Sequence, residues 1–263
     1  MRPESYIGVA GLTQRSHCET LLRYVEEHYP DNAVRIAPGV LVSRKSLHGL
    51  PLDQPKRYPT KEELGNIFIS HPRFLNLFHF NTREPEFLLD DLNLALSLCH
   101  DTCNGFQLNM AWPDIPTLVA YRSAHPTHTL VIQCGRKTLY EDSDDESSAI
   151  SPQELAEKVQ AYRGVATHVL IDPSGGKGLP FDSVRALKYF AELSKIPDIG
   201  FGIAGGLGLS TLHRLRPLWN KYKNFSVDAE SGVRDEFDEY STWLASTYVA
   251  GNLELRKTHR AVI

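Results

Sequence analysis

The chain alternates short apolar segments with amphipathic segments eight times, and this alternation restricts its fold more than any other feature. Each apolar segment is rich in β-branched or aromatic residues and is bounded by turn-forming residues, which predicts a strand. Strands that are separated by helices pair in parallel, and their near-continuous apolar character indicates burial on both faces. The predicted strands cover 6–12, 33–39, 76–81, 105–112, 128–134, 167–173, 198–205 and 224–230.

Helical periodicity fills most of the connections. Two predicted helices begin with capping boxes, Ser151 with Glu154 and Thr60 with Glu63. Eight strand–helix units in 263 residues match the length of a closed (β/α)8 barrel, so we predict a single-domain TIM barrel over 1–263. An open doubly wound sheet is the alternative. The predicted helices cover 17–29, 60–71, 87–100, 116–124, 151–164, 181–195, 209–222 and 239–251.

Two connections are unusually long for barrel loops. The connection after strand 2 covers 41–59 and is basic, whereas the connection after strand 5 covers 135–150 and is acidic from Glu141 to Glu146. Both follow the carboxyl ends of their strands, where barrel enzymes place their active sites. The acidic stretch is most simply a solvated loop, and a lid is the alternative.

Composition excludes several classes of partner. A formal charge of −4 gives no strong attraction to nucleic acid or anionic membranes, and no apolar run reaches membrane-spanning length. We therefore expect a cytoplasmic protein that binds a small molecule, without nucleic acid or membrane partners. The 4 scattered cysteines fit reduced thiols. Cys99 and Cys103 could bind metal with His100 or Asp101, but two half-buried thiols on a helix face are the simpler interpretation.

Polar residues stand at the predicted carboxyl ends of the strands and predict a site at that rim, since barrel interiors are otherwise apolar. Asp172 ends strand 6 before the glycine-rich stretch 173–178, and it is either a general acid or a carboxylate that caps its own loop. Asp228 ends strand 8 and is either catalytic or a brace for the following turn. We expect substrate contacts from three further residues of this rim, namely Arg44, Asn81 and Asn109. Arg44 and Lys45 could equally be solvated charges.

Glycines follow predicted strands 7 and 8, in "IAGGLGLS" (203–210) and "DAESGVRD" (228–235). In barrels, the loops after these two strands commonly hold a phosphate through backbone N–H groups, and glycine lets the anion approach them. We therefore predict a phosphate subsite formed by Gly205, Gly206, Ser231 and Gly232. The alternative is that these glycines only make tight turns.

Cofactor sites are not predicted. We do not interpret "GGKGLP" or "GIAGGLG" as a dinucleotide-binding motif. A metal-dependent epimerase of the ribulose-phosphate type would need two His and two Asp at strand ends, and only His79 and Asp172 are candidates. We expect no metal and no cofactor.

The sequence resembles the phosphoribosylanthranilate isomerase family over almost its full length. "IGVAGLT" (7–13) is similar to that family's opening strand, "NLFHFNTREPEFLLD" (76–90) to its third strand, and "FQLN" (106–109) to its "V-Q-L-H" strand. "VLIDPSGGKGLPFD" (169–182) resembles its sixth strand with the acid and the glycine loop. "IAGGLGLSTL" (203–212) and "FSVDAESGVRD" (225–235) resemble its phosphate-binding segments, "S-G-G-L-x-x-x-N-V" and "V-D-V-S-S-G-V-E".

This resemblance implies an Amadori rearrangement of an aminoaldose phosphate without a cofactor, with Asp172 as general acid. The family's general base is a cysteine in "K-I-C-G-I-T", and this chain has Ala10 at that position, in "G-V-A-G-L-T". A methyl group cannot accept a proton, and the histidine of "Q-L-H" is Asn109 here. Half of the family's acid–base pair is therefore retained and half is replaced.

Three hypotheses follow for a phosphorylated, sugar-like ligand. The first is an isomerase that uses Asp172 as acid and a relocated base, with Asp228 as the first candidate. The second is a different reaction on a phosphosugar, of the lyase or epimerase type, that needs no base on strand 1. The third is a non-catalytic protein that binds a phosphate-containing ligand.

Overall fold

The computed structural model of the protein describes residues 2–99, 101–140, 149–172 and 182–260, and it describes residues 259 and 260 by their backbone alone. Eight parallel strands pair in chain order, and β1 pairs with β8, so the barrel is closed. The predicted (β/α)8 barrel is confirmed, and the open-sheet alternative is wrong. The strands are β1 (Tyr6–Ala10), β2 (Arg35–Ser43), β3 (Leu77–Asn81), β4 (Gly105–Leu108), β5 (Thr129–Cys134), β6 (His168–Ile171), β7 (Gly200–Ile203) and β8 (Ser226–Ala229).

Helices cover the outside of the barrel, and both predicted capping boxes are present. Ser151 Oγ accepts from Glu154 N at 3.2 Å, and Glu63 Oε2 accepts from Thr60 N at 2.7 Å. The α-helices are α1 (Arg15–His28), α2 (Arg44–Leu47), α3 (Lys61–Ile67), α4 (Leu88–Leu98), α5 (Ile115–Ala124), α6 (Arg136–Tyr140), α7 (Pro152–Gln160), α8 (Ser183–Leu193), α9 (Arg216–Lys221) and α10 (Thr242–Arg260), with 3-10 turns at Pro55–Arg57, Pro85–Phe87 and Leu209–Leu215.

The differences between the structure and the predicted elements include the following three. Strand β2 continues to Ser43, because the apolar residues 40–42 pair with β3, and the loop therefore begins later than predicted. The predicted helix over 209–222 is divided into a 3-10 turn and α9, where Pro217 lacks the N–H that a continuous helix needs. The last helix begins at Thr242 and extends to Arg260. The acidic stretch 141–146 and the glycine-rich stretch 173–178 lie outside the described residues.

The barrel interior has an apolar lower layer and a polar upper layer. The apolar layer contains Tyr6, Leu77, Val131 and Leu170, all nearly inaccessible to solvent. Polar side chains of β3, β4 and β8 lie above it and are also buried, which needs explanation because burial of polar groups is unfavourable unless they are partnered. In the described part of the chain, no helix is long and apolar enough to cross a membrane.

Candidate active site

A pocket of about 450 Å³, including its open mouth, lies at the carboxyl ends of the strands. It brings together six of the predicted site residues: Asp172, Asp228, Asn109, Gly205, Gly206 and Ser231. These residues come from the ends of β4, β6 and β8 and the loops after β7 and β8, and they line one cavity. The remaining lining residues are Arg57, Gln107, Gln133, Ala204, Leu207, Ala229 and Glu230.

Asp172 is fixed at the rim by the strands beneath it. Its backbone N–H donates to Cys134 O at 2.9 Å, which continues the β5–β6 pairing one residue past the end of β6. Its side chain is 5% exposed, and Oδ2 accepts a hydrogen bond from Gln133 Nε2 at 2.7 Å. The carboxylate is therefore held beside the pocket rather than in solvent.

Asp228 points into the barrel and lies against β1. It pairs with Gly8, and a Cβ atom built on Gly8 would lie 2.2 Å from Asp228 Oδ1. This carboxylate oxygen occupies space that a side chain of β1 would otherwise fill. Oδ2 accepts from Gln107 Nε2 at 3.4 Å, and Oδ1 has no hydrogen-bond partner among the described residues.

The environment of Asp228 shifts its protonation equilibrium into the neutral range. Burial raises the pKa of the carboxyl group to about 7, and the negative charge of Asp172 adds to the rise, whereas the Gln107 hydrogen bond opposes it. A carboxyl group with such a pKa can accept or release a proton near neutral pH. Its position in a pocket beside a second carboxylate makes it a candidate for catalysis.

The amide of Gln107 joins a polar layer across the barrel. Gln107 Nε2 lies 3.2 Å from His79 Nδ1, 3.2 Å from Asn109 Oδ1 and 3.5 Å from Gln133 Oε1, in addition to its contact with Asp228. An amide nitrogen has two hydrogens, so it cannot serve all four acceptors at once. Burial lowers the pKa of His79 to about 4, so its ring is neutral at neutral pH. Hydrogen bonding to Gln107 therefore offsets only part of the free-energy cost of burying the Asp228 carboxylate.

Replacing Gly8 by alanine is expected to displace the Asp228 carboxylate and to lower the unfolding free energy by about 2 kcal/mol, because the added methyl group overlaps a buried side chain. The cost should fall by at least about 1 kcal/mol when Asp228 is also replaced by alanine, which a double-mutant cycle in urea measures. Gly135→Ala serves as the control, since its added Cβ meets no atom within 4 Å. Equal costs of Gly8→Ala in both backgrounds would contradict this placement of Asp228.

The two glycine loops pack directly against each other. Gly205 and Gly206 have φ values of 94° and 60°, a backbone conformation that residues with a Cβ rarely adopt. Gly208 pairs with Gly232, and a Cβ on Gly232 would lie 2.0 Å from Leu207 O. Gly232 does not line the pocket, so its place in the structure is this close backbone contact, whereas Gly205, Gly206 and Ser231 face the cavity.

Two predicted substrate-binding residues, Arg44 and Asn81, line a second pocket instead. Arg44 begins α2, and its guanidinium donates to Asp91 Oδ1 at 2.9 Å and to Glu84 Oε2 at 3.0 Å. It also lies over the Phe87 ring, 3.9 Å from the centroid. These contacts direct Arg44 toward α4 and the segment before it, so the structure does not bring it together with Asp172 and Asp228.

Arg57 is a residue of the main pocket that sequence reasoning missed. The sequence indicates only that it belongs to a basic loop, yet it lines the cavity with Asp172 and Gly205. Arg57 Nη1 donates to Glu230 Oε1 at 3.0 Å, and its Nε and Nη2 donate to Asp238 at 2.9 and 2.8 Å. The hydrogen bonds that Asp238 accepts raise the pKa of Arg57 further. No local pattern predicts a contact between loops that are this far apart in sequence.

The described residues contain no group of three or more His, Cys, Asp or Glu side chains that could hold a metal ion. Cys99 and Cys103 are free and buried, and His100, the third member of the alternative metal site, lies outside the described residues. The side chains that line the main pocket include the carboxyl groups of Asp172 and Asp228, which can exchange protons.

Comparison with known proteins finds similar structures but no similar sequence. No family model and no curated protein matches the sequence. Phosphoribosyl anthranilate isomerase from Thermus thermophilus is 14% identical with a TM-score of 0.60, and that from Thermotoga maritima is 19% identical with a TM-score of 0.60; each match covers 95% of this chain and 99% of the other. The carboxyl transferase domain of Rhizobium etli pyruvate carboxylase is 11% identical with a TM-score of 0.56, over 98% of this chain and 48% of the other. At these identities, the matches establish the fold alone.

Proposed function

We propose that the protein isomerises a phosphorylated aminoaldose, a phosphoribosylanthranilate isomerase-like reaction without a cofactor. One observation carries the proposal: Asp172, Asp228 and the two glycine loops line the same cavity at the carboxyl end of the barrel. Two carboxyl groups with different environments are what paired acid and base catalysis requires. The similarity to isomerase structures supports the proposal at the level of the fold.

The proposed reaction uses the cavity as follows. Backbone and side-chain groups of Gly205, Gly206 and Ser231 hold the phosphate. The protonated form of Asp172 donates its proton to the ring oxygen, the bond between this oxygen and C1 breaks, and a protonated imine remains. The ionised carboxylate of Asp228 then removes the proton from C2, next to the imine carbon, and the resulting enol takes up a proton at C1 and loses its hydroxyl proton to give the aminoketose.

Asp228 can replace the missing base because of where its carboxylate lies. Ala10, at the position of the family's cysteine, is the last residue of β1 and has no group that accepts a proton. Asp228 Oδ1 lies against Gly8 of the same strand, faces β1 and lacks a hydrogen-bond donor among the described residues. Together with a pKa of about 7, this makes Asp228 a base that is active at neutral pH.

Binding of a phosphorylated ligand without turnover is the second candidate. The observation that favours it is Ala10, because the methyl group removes one half of the acid–base pair expected from the resemblance. Under this proposal, the glycine loops keep their role while the two carboxylates only stabilise the rim. A different phosphosugar reaction that needs only Asp172 is the third candidate.

The rate at which purified protein consumes phosphoribosylanthranilate tests the proposal. We expect turnover with formation of the aminoketose, without added metal or cofactor, at a rate that depends on Asp172. Absence of turnover in protein that is folded by circular dichroism would overturn the isomerase proposal. Binding of the substrate under those conditions, measured by calorimetry, would then support the non-catalytic candidate.

A further inference from the structure

Two charged loops meet above the main pocket. The segment Pro55–Arg57, after β2, contacts the loop after β8 through three neighbouring ion pairs. Arg57 binds Glu230 and Asp238, whereas Lys56 Nζ lies 3.5 Å from Glu239 Oε1. Of these ion-paired residues, Arg57 and Glu230 alone line the pocket.

The carboxylate of Glu230 lies at an unfavourable place for a phosphate subsite. Glu230 directly precedes Ser231 and lines the same cavity as Gly205 and Gly206. A phosphate dianion held by these residues would lie close to a negative charge, and like charges a few ångströms apart repel each other. A nearby cation is therefore required if this cavity is to hold a phosphate.

Arg57 has the geometry to supply that cation. Its Nε and Nη2 form a two-point contact with Asp238, which fixes the orientation of the guanidinium, while Nη1 contacts Glu230. The side chain is 21% exposed, so it is partly desolvated, and a new anion could reach it from the cavity. The guanidinium has five N–H groups, of which three donate to described residues.

We propose that Arg57 completes the phosphate subsite, and that the Glu230 carboxylate is an internal occupant which the phosphate of the ligand displaces. Asp238 keeps the guanidinium in place while Nη1 exchanges Glu230 for a phosphate oxygen. Binding of phosphate thus connects the loop after β2 to the ligand. This inference rests on the phosphate subsite of the proposed function, and it assigns that subsite a residue from the loop after β2, a strand separated from β8 by β1 alone.

The proposal predicts opposite effects for the two partners of one ion pair. Arg57→Gln removes the cation and leaves Glu230 facing the phosphate, so phosphate binding should weaken at least about tenfold. Glu230→Gln removes the competing carboxylate, so binding should tighten about fivefold. If the pair only tethered two loops, both substitutions would loosen the same contact and would change binding in the same direction.

The experiment is a calorimetric titration of inorganic phosphate into wild-type protein and five variants at fixed ionic strength. Lys56→Gln and Glu239→Gln are the matched controls, because they break the neighbouring ion pair between the same loops without lining the pocket, and each should change the dissociation constant less than twofold. Arg57→Lys, which keeps the charge but not the fork, should give an intermediate affinity.

The outcomes separate this inference from the proposed function. The role of Arg57 is overturned if wild-type protein binds phosphate and Arg57→Gln binds it with the same affinity. It is also overturned if Glu230→Gln binds phosphate more weakly than wild type. The isomerase proposal stands in both cases. If neither wild-type protein nor Glu230→Gln binds phosphate, the role of Arg57 is overturned together with the phosphate subsite. Turnover of phosphoribosylanthranilate is measured independently of either result.

Discussion

Replacing Asp172 by asparagine is expected to lower kcat/KM for phosphoribosylanthranilate at least about 100-fold, the range over which a positioned general acid accelerates a reaction. Asparagine has nearly the same shape and can still accept the hydrogen bond that Gln133 Nε2 donates at 2.7 Å. It cannot donate a proton to the ring oxygen at a useful rate. The loss should therefore appear in kcat, with a small effect on KM and on the thermal midpoint.

Asp182→Asn is the control for this substitution. Asp182 caps α8 by accepting from Val184 N and Arg185 N, and asparagine caps helices about as well as aspartate. Turnover by this variant should stay within about twofold of the wild-type rate, which would show that the loss of a carboxylate does not by itself lower turnover. Turnover by Asp172→Asn within about threefold of wild type would contradict the role of Asp172 as the acid.

The fold could be predicted because its determinants are local and repeated. Each strand–helix unit carries its own apolar pattern, and capping boxes such as Ser151 with Glu154 mark helix starts. Eight units of this size leave few arrangements besides a closed barrel. The end of β2 was predicted too early, since pairing of residues 40–42 with β3 stabilises an extension that the turn-forming residues Pro38 and Gly39 obscure.

The site could be predicted in part, where a strand places a side chain directly. Asp172 and Asp228 lie on or next to strands whose register fixes their direction, and the structure brings them together as predicted. Arg44 follows a strand too, but it begins α2, and the buried carboxylate of Asp91 draws its side chain away from the barrel axis. A strand position determines direction, whereas the first residue of a loop takes its direction from tertiary contacts.

Arg57 could not be predicted for a different reason. Its place in the pocket depends on Glu230 and Asp238, whose partnership with a loop after β2 no local pattern encodes. The raised pKa of Asp228 likewise depends on burial and on the charge of Asp172, which become neighbours only when the barrel closes. The sequence thus predicted which strand ends carry acids, and the closed barrel determines their electrostatics.

The Asp228→Asn variant is expected to become more stable relative to wild type as pH rises. The folded protein holds the Asp228 proton up to pH about 7, whereas the unfolded chain releases it near 3.8. Between these values the folded state binds more protons, so wild-type unfolding free energy decreases with pH by up to about 1.4 kcal/mol per unit, or about 4 kcal/mol in all. The variant has no such proton, and urea unfolding between about pH 4 and pH 8 measures the difference.

Asp114→Asn should change the pH dependence of stability in the opposite direction, and it controls for general effects of removing a carboxylate. Hydrogen bonds from the Thr117 side chain and backbone lower the pKa of Asp114, so its stabilising contribution is present at neutral pH and is lost as pH falls through the folded pKa. The variant should therefore lose stability relative to wild type as pH rises through that lower range, and it should show no further change between about pH 5 and pH 8. A pH-independent difference between Asp228→Asn and wild type would contradict the raised pKa of Asp228.

The Asp228→Asn substitution also determines whether Asp228 accepts or donates a proton in the reaction. If Asp228 is the base, wild-type kcat/KM rises with pH through about 7, because the carboxyl group must first lose its proton. Asp228→Asn should then lack this rising limb and be slower at least about 100-fold at its plateau. If wild-type activity instead falls through the same range, Asp228 acts as the acid, and the base must be the Asp172 carboxylate. Because one carboxyl group has a pKa that burial raises to about 7 and the other borders the same cavity, the direction of the pH profile assigns both roles at once.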